Sequence, residues 1–188
     1  MFKFQKEQEI VNIAGVKIGG QPGELPTVLA GTIFYDKHEI VKDVARGLFD
    51  RDAAEKLINL QESSAEETGN PHIIHIFGTT PESITRYIDF VADISEAPFL
   101  IDSPEGAVRS YAAEYVSEIG LADKAIYNSI NMSINASEIE ALALSDIDSS
   151  IILGFNATDS SCGAGWKYWK MGQASWKRDY FQLQTDVE

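Results

Sequence analysis

The polar residues that could bind a ligand come at or near the ends of short apolar runs. His75 lies within residues 72–78, Asp102 ends residues 98–102, Asn128 and Ser129 follow residues 124–127, and Asn156 ends residues 150–156. A carboxylate accepts hydrogen bonds from an amidine-like N–C–N edge, and an amide both donates and accepts. This set therefore suits a neutral heterocycle with donors and acceptors, and a pterin ring has such an edge.

Structural explanations for the same residues stay open. Asp102 could cap the next helix, and Asn128 and Asn156 could be turn residues. His75 alternates with two isoleucines and is equally consistent with a hydrogen-bonded core histidine or a ligand contact.

Metal binding is disfavoured by the residue types present. Three histidines and one cysteine form no zinc constellation, and His72 and His75, three apart on a strand, point to opposite faces. Neither a phosphate-binding P-loop nor a serine-hydrolase elbow is present. We therefore assign no metal ligand and no catalytic residue.

The elements that position these residues repeat regularly. Strands are predicted at 27–31, 72–78, 98–102, 124–128 and 150–156, and the last four begin at residues 72, 98, 124 and 150, a constant step of 26. Short apolar strands alternating with amphipathic helices indicate a parallel sheet. The even spacing favours an α/β fold of the (β/α)₈ TIM-barrel type, with about five βα units here. A doubly wound sheet remains the alternative, although no glycine-rich dinucleotide fingerprint follows a strand.

Polar and proline residues predict where the helices begin. Asp50 is expected to cap a helix through Thr68, and Thr80 one that starts with Pro81. Ser103-Pro104-Glu105 repeats the second pattern and predicts a helix to Gly120. Ser137 is the expected cap of a helix over 136–144.

The N-terminal residues alternate loosely between apolar and polar over 2–18, with Ala14-Gly15 between the halves. This predicts a hairpin that closes the bottom of a barrel, followed by a turn-rich linker at 19–23. We divide the chain into a hairpin and linker (1–26), a partial barrel (27–162) and a tail (163–188).

Charge and composition limit the partners. The net charge of −14 argues against nucleic acid and against an anionic lipid surface. One cysteine, no apolar run long enough for a membrane span and no signal peptide indicate the cytoplasm.

The tail differs from the rest of the chain. All three tryptophans, Trp166, Trp169 and Trp176, lie there, and no sixth strand follows. Read one frame over, codons for this tail permit an amphipathic helix and loop. We therefore hypothesise a frameshift between Cys162 and Gly165; a natural, divergent tail is the alternative, and the coding DNA decides between them.

Several segments resemble the H-subunit family of tetrahydromethanopterin S-methyltransferase. The resemblance covers about residues 1–161, and in this frame it ends there; it is carried by residues 12–24, 27–35, 68–71, 87–93, 99–103 and 125–130. It implies a pterin-binding TIM barrel in which Asp102 holds the pyrimidine edge of the pterin and Asn128 lies beside it.

The resemblance also implies an activity and partners. The N5-methyl group of methyl-tetrahydromethanopterin would pass to the Co(I) corrinoid (cobamide) of a partner subunit, a step of methanogenesis that leads to methyl-coenzyme M in a sodium-transporting membrane complex. The protein would be a homodimer on the cytoplasmic side, without inserting into the membrane. In related enzymes an amide later in the barrel assists the leaving nitrogen. The alternatives are a homologous corrinoid methyltransferase with another methyl donor, such as a quaternary amine, and an inactive truncated fragment.

Overall fold

A computed structural model describes residues 2–131 and 133–153, which form nine strands and four helices. In chain order these are β1 (Ile10–Ile13), β2 (Val16–Gly19), β3 (Leu29–Ile33), β4 (Val41–Asp43), β5 (Leu48–Phe49), α1 (Arg51–Thr68), β6 (His72–Phe77), α2 (Pro81–Ile94), β7 (Phe99–Asp102), α3 (Gly106–Glu118), β8 (Ala125–Ile130), α4 (Ala136–Leu144) and β9 (Ser149–Ile152). Asn156 and the tail lie outside the described residues, and the division at 26/27 and 162/163 stays a prediction.

The main sheet has five parallel strands in the order β3-β6-β7-β8-β9. Neighbours in the chain of βα units are also neighbours in the sheet, and helices α1–α4 all contribute to one hydrophobic core on one face of it. A doubly wound sheet would place helices on both faces. The described part is therefore compatible with part of a TIM-type fold.

The other face of the sheet carries the N-terminal hairpin. β1 and β2 pair antiparallel through Ala14 and Gly15, both at positive φ. Ile13 joins a second apolar cluster with Ile73, Leu100 and Ile126. The predicted hairpin is confirmed, although its strands begin at Ile10 rather than at residue 2.

Two helix starts agree with the sequence analysis. The side chain of Asp50 accepts a hydrogen bond from the backbone N–H of Ala53 at 3.2 Å and caps α1, which ends at Gly69 in the left-handed region. Thr80 caps α2 and forms a reciprocal capping box with Ser83, with Pro81 at the first position.

Two predicted caps are wrong. Ser103 does not cap α3, which begins at Gly106 after Glu105 without a side-chain cap, because the Ser103 hydroxyl accepts from the Glu105 N–H inside the loop. Ser137 does not cap α4: Asn135 accepts from the Glu138 N–H at 3.0 Å, and the Ser137 hydroxyl donates to the same Asn135 oxygen at 2.6 Å.

The first strand of the sheet is shifted from the predicted 27–31 to Leu29–Ile33. Gly31 lies within this strand rather than at its end. Its lack of a side chain leaves room for Gln61, which donates to the Ile73 carbonyl at 3.0 Å. The shift brings Thr32 into register with His75.

The sequence analysis also missed the small antiparallel pair β4–β5. Phe49 of β5 contacts the rings of Phe34, Tyr87 and Phe90, so this pair packs against α2. Across the described residues, no helix is both long and apolar enough to span a membrane.

Candidate functional site

Four polar side chains meet at the carboxyl ends of four neighbouring strands. Thr32 of β3 pairs in register with His75 of β6, and Asp102 of β7 pairs with both Phe77 of β6 and Asn128 of β8. Leu100 and Ile126, two residues earlier on β7 and β8, pack on the hairpin side of the sheet. Because side chains alternate along a strand, Asp102 and Asn128 lie on that same face, above the apolar cluster.

His75 links this group together. Its Nδ1 lies 2.8 Å from the Thr32 hydroxyl and its Nε2 lies 2.9 Å from Asp102 Oδ2. The Asn128 amide nitrogen is farther from His75 Nε2, at 3.4 Å. His75 is thus hydrogen-bonded on both ring nitrogens, and its contact with a ligand stays a prediction.

The proton positions follow from what each group can do. A carboxylate only accepts, so His75 Nε2–H donates to Asp102, and in the neutral ring Nδ1 accepts from the Thr32 hydroxyl. In this tautomer Nε2 is a donor, so the Asn128 amide N–H groups cannot donate to it and stay available to a ligand. Asp102 therefore fixes the tautomer of His75, and the Thr32 hydroxyl, which can donate, completes the hydrogen bonding of the ring.

The group is open to a ligand. The side chains of His75 and Asp102 are 18% and 25% exposed. Within the described part of the chain, Asp102 Oδ2 is taken by His75, while Oδ1 has no hydrogen-bond partner. One carboxylate oxygen and one amide are thus available side by side on adjacent strands, which lie about 4.8 Å apart in such sheets.

The remaining predicted residues do not join this group. Ser129 is nearly buried, and its hydroxyl accepts from the Asn131 amide at 3.1 Å in the turn after β8. Asn156 lies outside the described residues. Its role, like that of the other site residues, stays a prediction.

Thr32 is the member that sequence reasoning missed. The predicted strand stops at Gly31, so Thr32 was not among the polar residues expected at the strand ends. The signal was present, since Thr32 is a polar residue directly beyond an apolar run.

A second polar cluster, also missed, lies behind the site. Arg109 of α3 donates through Nε and Nη2 to one carboxylate oxygen of Glu138, at 2.9 and 2.5 Å. Tyr127 donates its hydroxyl to the same oxygen, and Arg109 also donates to the Ser103 carbonyl. Arg109, Tyr127 and Glu138 are all buried.

Hydrogen bonds within the cluster favour the charged form of Arg109 and the neutral form of Tyr127. Burial acts to lower the pKa of Arg109, but the hydrogen bonds with Tyr127 and Glu138 outweigh it and raise that pKa above its usual value. Burial, and then the hydrogen bond to Glu138, raises the pKa of the Tyr127 hydroxyl. The cluster is therefore a buried ion pair with a neutral phenol.

No group of three histidine, cysteine or acidic side chains within residues 2–131 and 133–153 could hold a metal ion.

A parallel βα sheet with an accessible carboxylate and amide at its carboxyl ends defines a class of proteins that bind small molecules at that edge. Residues 6–187 match the family described as the tetrahydromethanopterin S-methyltransferase MtrH subunit. The chain belongs to this family, as its segments indicated.

Two groups of relatives are similar to the chain. It is 97% identical over 161 residues to the H subunit of the "Putative methyltransferase mtx" of Methanosarcina barkeri, covering 86% of this chain and 52% of the relative. The protein of the same description from Methanosarcina mazei is 80% identical over 161 residues. The H subunit of tetrahydromethanopterin S-methyltransferase from Methanothermobacter marburgensis is 51% identical over 186 residues, covering 99% of this chain and 60% of the relative.

The chain thus spans between about half and three fifths of the length of these relatives. The family match extends to residue 187. It therefore runs past Cys162, where the sequence analysis ended the resemblance, whereas the alignments to the 97% and 80% identical relatives cover 161 residues, the extent that was predicted. The frameshift itself stays a hypothesis for the coding DNA to test.

Proposed function

We propose that this chain forms the pterin-binding part of a methyltransferase subunit that takes the N5-methyl group of methyl-tetrahydromethanopterin. The observation that carries this proposal is the pairing of Asp102 with Asn128 at adjacent strand ends, with Asp102 oriented by His75. Family membership supports the same substrate class.

The available atoms fit the pyrimidine edge of a pterin. Asp102 Oδ1 accepts from both the ring N3–H and the 2-amino group, neighbouring neutral donors on one edge. The Asn128 amide donates to an adjacent ring acceptor. His75 occupies the second carboxylate oxygen and keeps the carboxylate from turning, and the hydrogen bond with Thr32 holds the His75 ring in place.

In the full fold, we propose that further βα units close the sheet into a (β/α)₈ barrel around this edge. Asn156 would then contribute at the end of the next strand, and Ser129 would support the turn beside Asn128. A Co(I) corrinoid on a partner subunit would supply the nucleophile that accepts the methyl group. The residues of this chain bind and orient the donor ring.

The same proposal covers the assembly. A corrinoid-carrying subunit of a sodium-transporting membrane complex is the proposed partner, and the full-length protein is proposed to be a homodimer on the cytoplasmic side. The family is named as a subunit, which supports an assembly of several chains. The net charge of −14 disfavours direct contact with anionic lipid, so membrane association would run through partner chains.

A second candidate function is methyl transfer from another donor, such as a quaternary amine. One observation favours it: the relatives that are 97% and 80% identical are described only as methyltransferases, whereas the relative named for tetrahydromethanopterin is about half identical.

Methyl transfer to free Co(I) cobalamin separates the two functions. The purified 188-residue chain would be given methyl-tetrahydromethanopterin or tetramethylammonium, and the loss of Co(I) absorbance followed. We expect transfer from the pterin, slowed at least about tenfold by Asp102→Ala, since charge-assisted hydrogen bonds contribute about 1.5–3 kcal/mol each.

Transfer from the quaternary amine alone would replace the pterin proposal with the second candidate. An aggregated chain that transfers neither methyl group would identify an inactive fragment. An exposed serine in the turn after β8 offers a control: Ser133→Ala should leave the rate unchanged.

A further inference from the structure

We infer that Arg109 is a positioning residue for the site, which acts from the helix side of the sheet by holding the residues next to Asp102 and Asn128. This inference rests on the proposed function, since it assigns a role to Arg109 through the pterin-binding pair. Nothing in the family's name concerns this arginine.

The connectivity is the first argument. Arg109 donates to the carbonyl of Ser103, the residue directly after Asp102. Through Glu138 it is joined to the hydroxyl of Tyr127, the residue directly before Asn128. One buried cluster therefore holds the backbone directly after Asp102 and the side chain of the residue directly before Asn128.

The loop after β7 supplies the second argument. The equivalent loop after β6 is held by the capping box of Thr80 and Ser83. The loop after β7 has no such cap, because Glu105 makes no side-chain hydrogen bond to the start of α3. The Arg109–Ser103 hydrogen bond does not cap the helix, but it ties this uncapped loop to α3.

The fit of the cluster is the third argument. Gly106 begins α3, and a Cβ at this position would collide with Glu138 Oε2. Arg109 itself lies on the helix face that it shares with Ala112, Ala113 and Val116, all of which are buried. An ion pair placed in such a core costs desolvation energy and is weak evidence for stability. Its contacts with the strand ends give it a role that an apolar pair could not fill.

The test removes the ion pair without leaving a buried charge. In Arg109→Met/Glu138→Gln, the glutamine can still accept from Tyr127, while the hydrogen bond to the Ser103 carbonyl is lost. The matched control is Arg86→Met/Glu82→Gln, which removes the exposed pair on α2. For each variant of the 188-residue chain, urea unfolding and the Kd for tetrahydromethanopterin would be measured.

We expect a folded double variant whose Kd is raised about tenfold, since displacements of order 1 Å at supporting residues weaken sites by factors of this size or more. The control pair should bind like the wild type. In an Asp102→Ala background the Arg109/Glu138 substitutions should cost less than in the wild-type background, because part of their effect passes through the position of Asp102. A purely structural role would lower stability and leave the Kd of the folded protein unchanged.

The remaining outcomes separate the inference from the proposed function. Wild-type affinity in the folded double variant overturns the inference while the proposed function stands. Failure of the wild type to bind, or an Asp102→Ala variant with unchanged Kd, overturns both. If the double variant does not fold, Arg109→Lys takes its place, since lysine keeps the charge beside Glu138 but lacks the guanidinium fork; unchanged Kd in that variant overturns the inference.

Discussion

The imidazole Nε2 of His75 lies 2.9 Å from Asp102 Oδ2, although the backbone partner of His75 on β7 is Leu100. The histidine therefore reaches diagonally toward the end of the neighbouring strand. This reach occupies one oxygen of the carboxylate, while the other oxygen has no hydrogen-bond partner among the described residues. The geometry gives Asp102 one defined orientation toward a ligand.

The first prediction concerns this contact. His75→Ala frees the Asp102 carboxylate to rotate, and we expect the Kd for tetrahydromethanopterin to rise about tenfold, the value of one charge-assisted hydrogen bond. Thr32→Val should give a smaller loss, because it removes only the hydrogen bond that holds the His75 ring from its other nitrogen. Calorimetric titration measures both, with Thr27→Val, outside β3, as the control. Equal binding by His75→Ala and the wild type would contradict the role of this histidine.

The second prediction concerns the hairpin. Ile13 is 8% exposed and packs on Ile73, Leu100 and Ile126, whereas Ile10 on the same strand is 43% exposed. Ile13→Ala should lower the free energy of unfolding by about 2–4 kcal/mol, the range for a buried aliphatic side chain. Ile10→Ala should change it by less than about 0.5 kcal/mol. Similar urea midpoints for the two variants would show that the hairpin does not share the core of the sheet.

Local composition predicts the strand ends and two of the caps. Asp102 is confirmed as a strand end and Asp50 and Thr80 as caps, whereas the strand predicted to end at Asn128 continues to Ile130. Ser137 and Asn135 lie two residues apart and have similar capping ability, so composition alone does not decide which of them caps α4.

The contacts of Thr32 and Arg109 depend on tertiary structure. Thr32 meets His75 because of the register between β3 and β6. The sequence pattern ends the strand at Gly31, one residue before Thr32. Arg109 had a recognisable signal, since it stands at helical spacing with Ala112, Ala113 and Val116 on a core face. Its partners, Glu138 and the Ser103 carbonyl, come from other elements of the fold and could not be assigned from spacing.

The third prediction concerns alkaline pH. Burial raises the pKa of Tyr87 to about 12, and burial with the hydrogen bond to Asp89 raises that of Tyr115 to about 12; the pKa of Tyr127 is also raised. A folded-state pKa above the unfolded value of 10.0 contributes stability that is complete below pH 10 and lost as pH rises beyond it. The free energy of unfolding should therefore fall above pH 10.

Tyr127→Phe tests this origin. It should reduce the slope of that fall by about 1.4 kcal/mol per pH unit, the value for one proton. At neutral pH it should also destabilise the protein, because Glu138 loses a buried donor. Urea unfolding from about pH 8 to 11 measures both effects, and Tyr111→Phe, at an exposed position, controls for the substitution itself. A slope equal to that of the wild type would contradict the assignment.

The central claim is that Asp102 accepts from the pyrimidine edge of a pterin, and a cycle between protein and ligand tests it most directly. The Kd of wild type and Asp102→Ala would be measured calorimetrically for a tetrahydropterin and for its analogue without the 2-amino group. We predict that the substitution weakens binding of the tetrahydropterin about 10- to 100-fold, and that this penalty shrinks several-fold for the analogue, which lacks one of the donors to Asp102. An equal penalty for both ligands, or none for either, would contradict the claim.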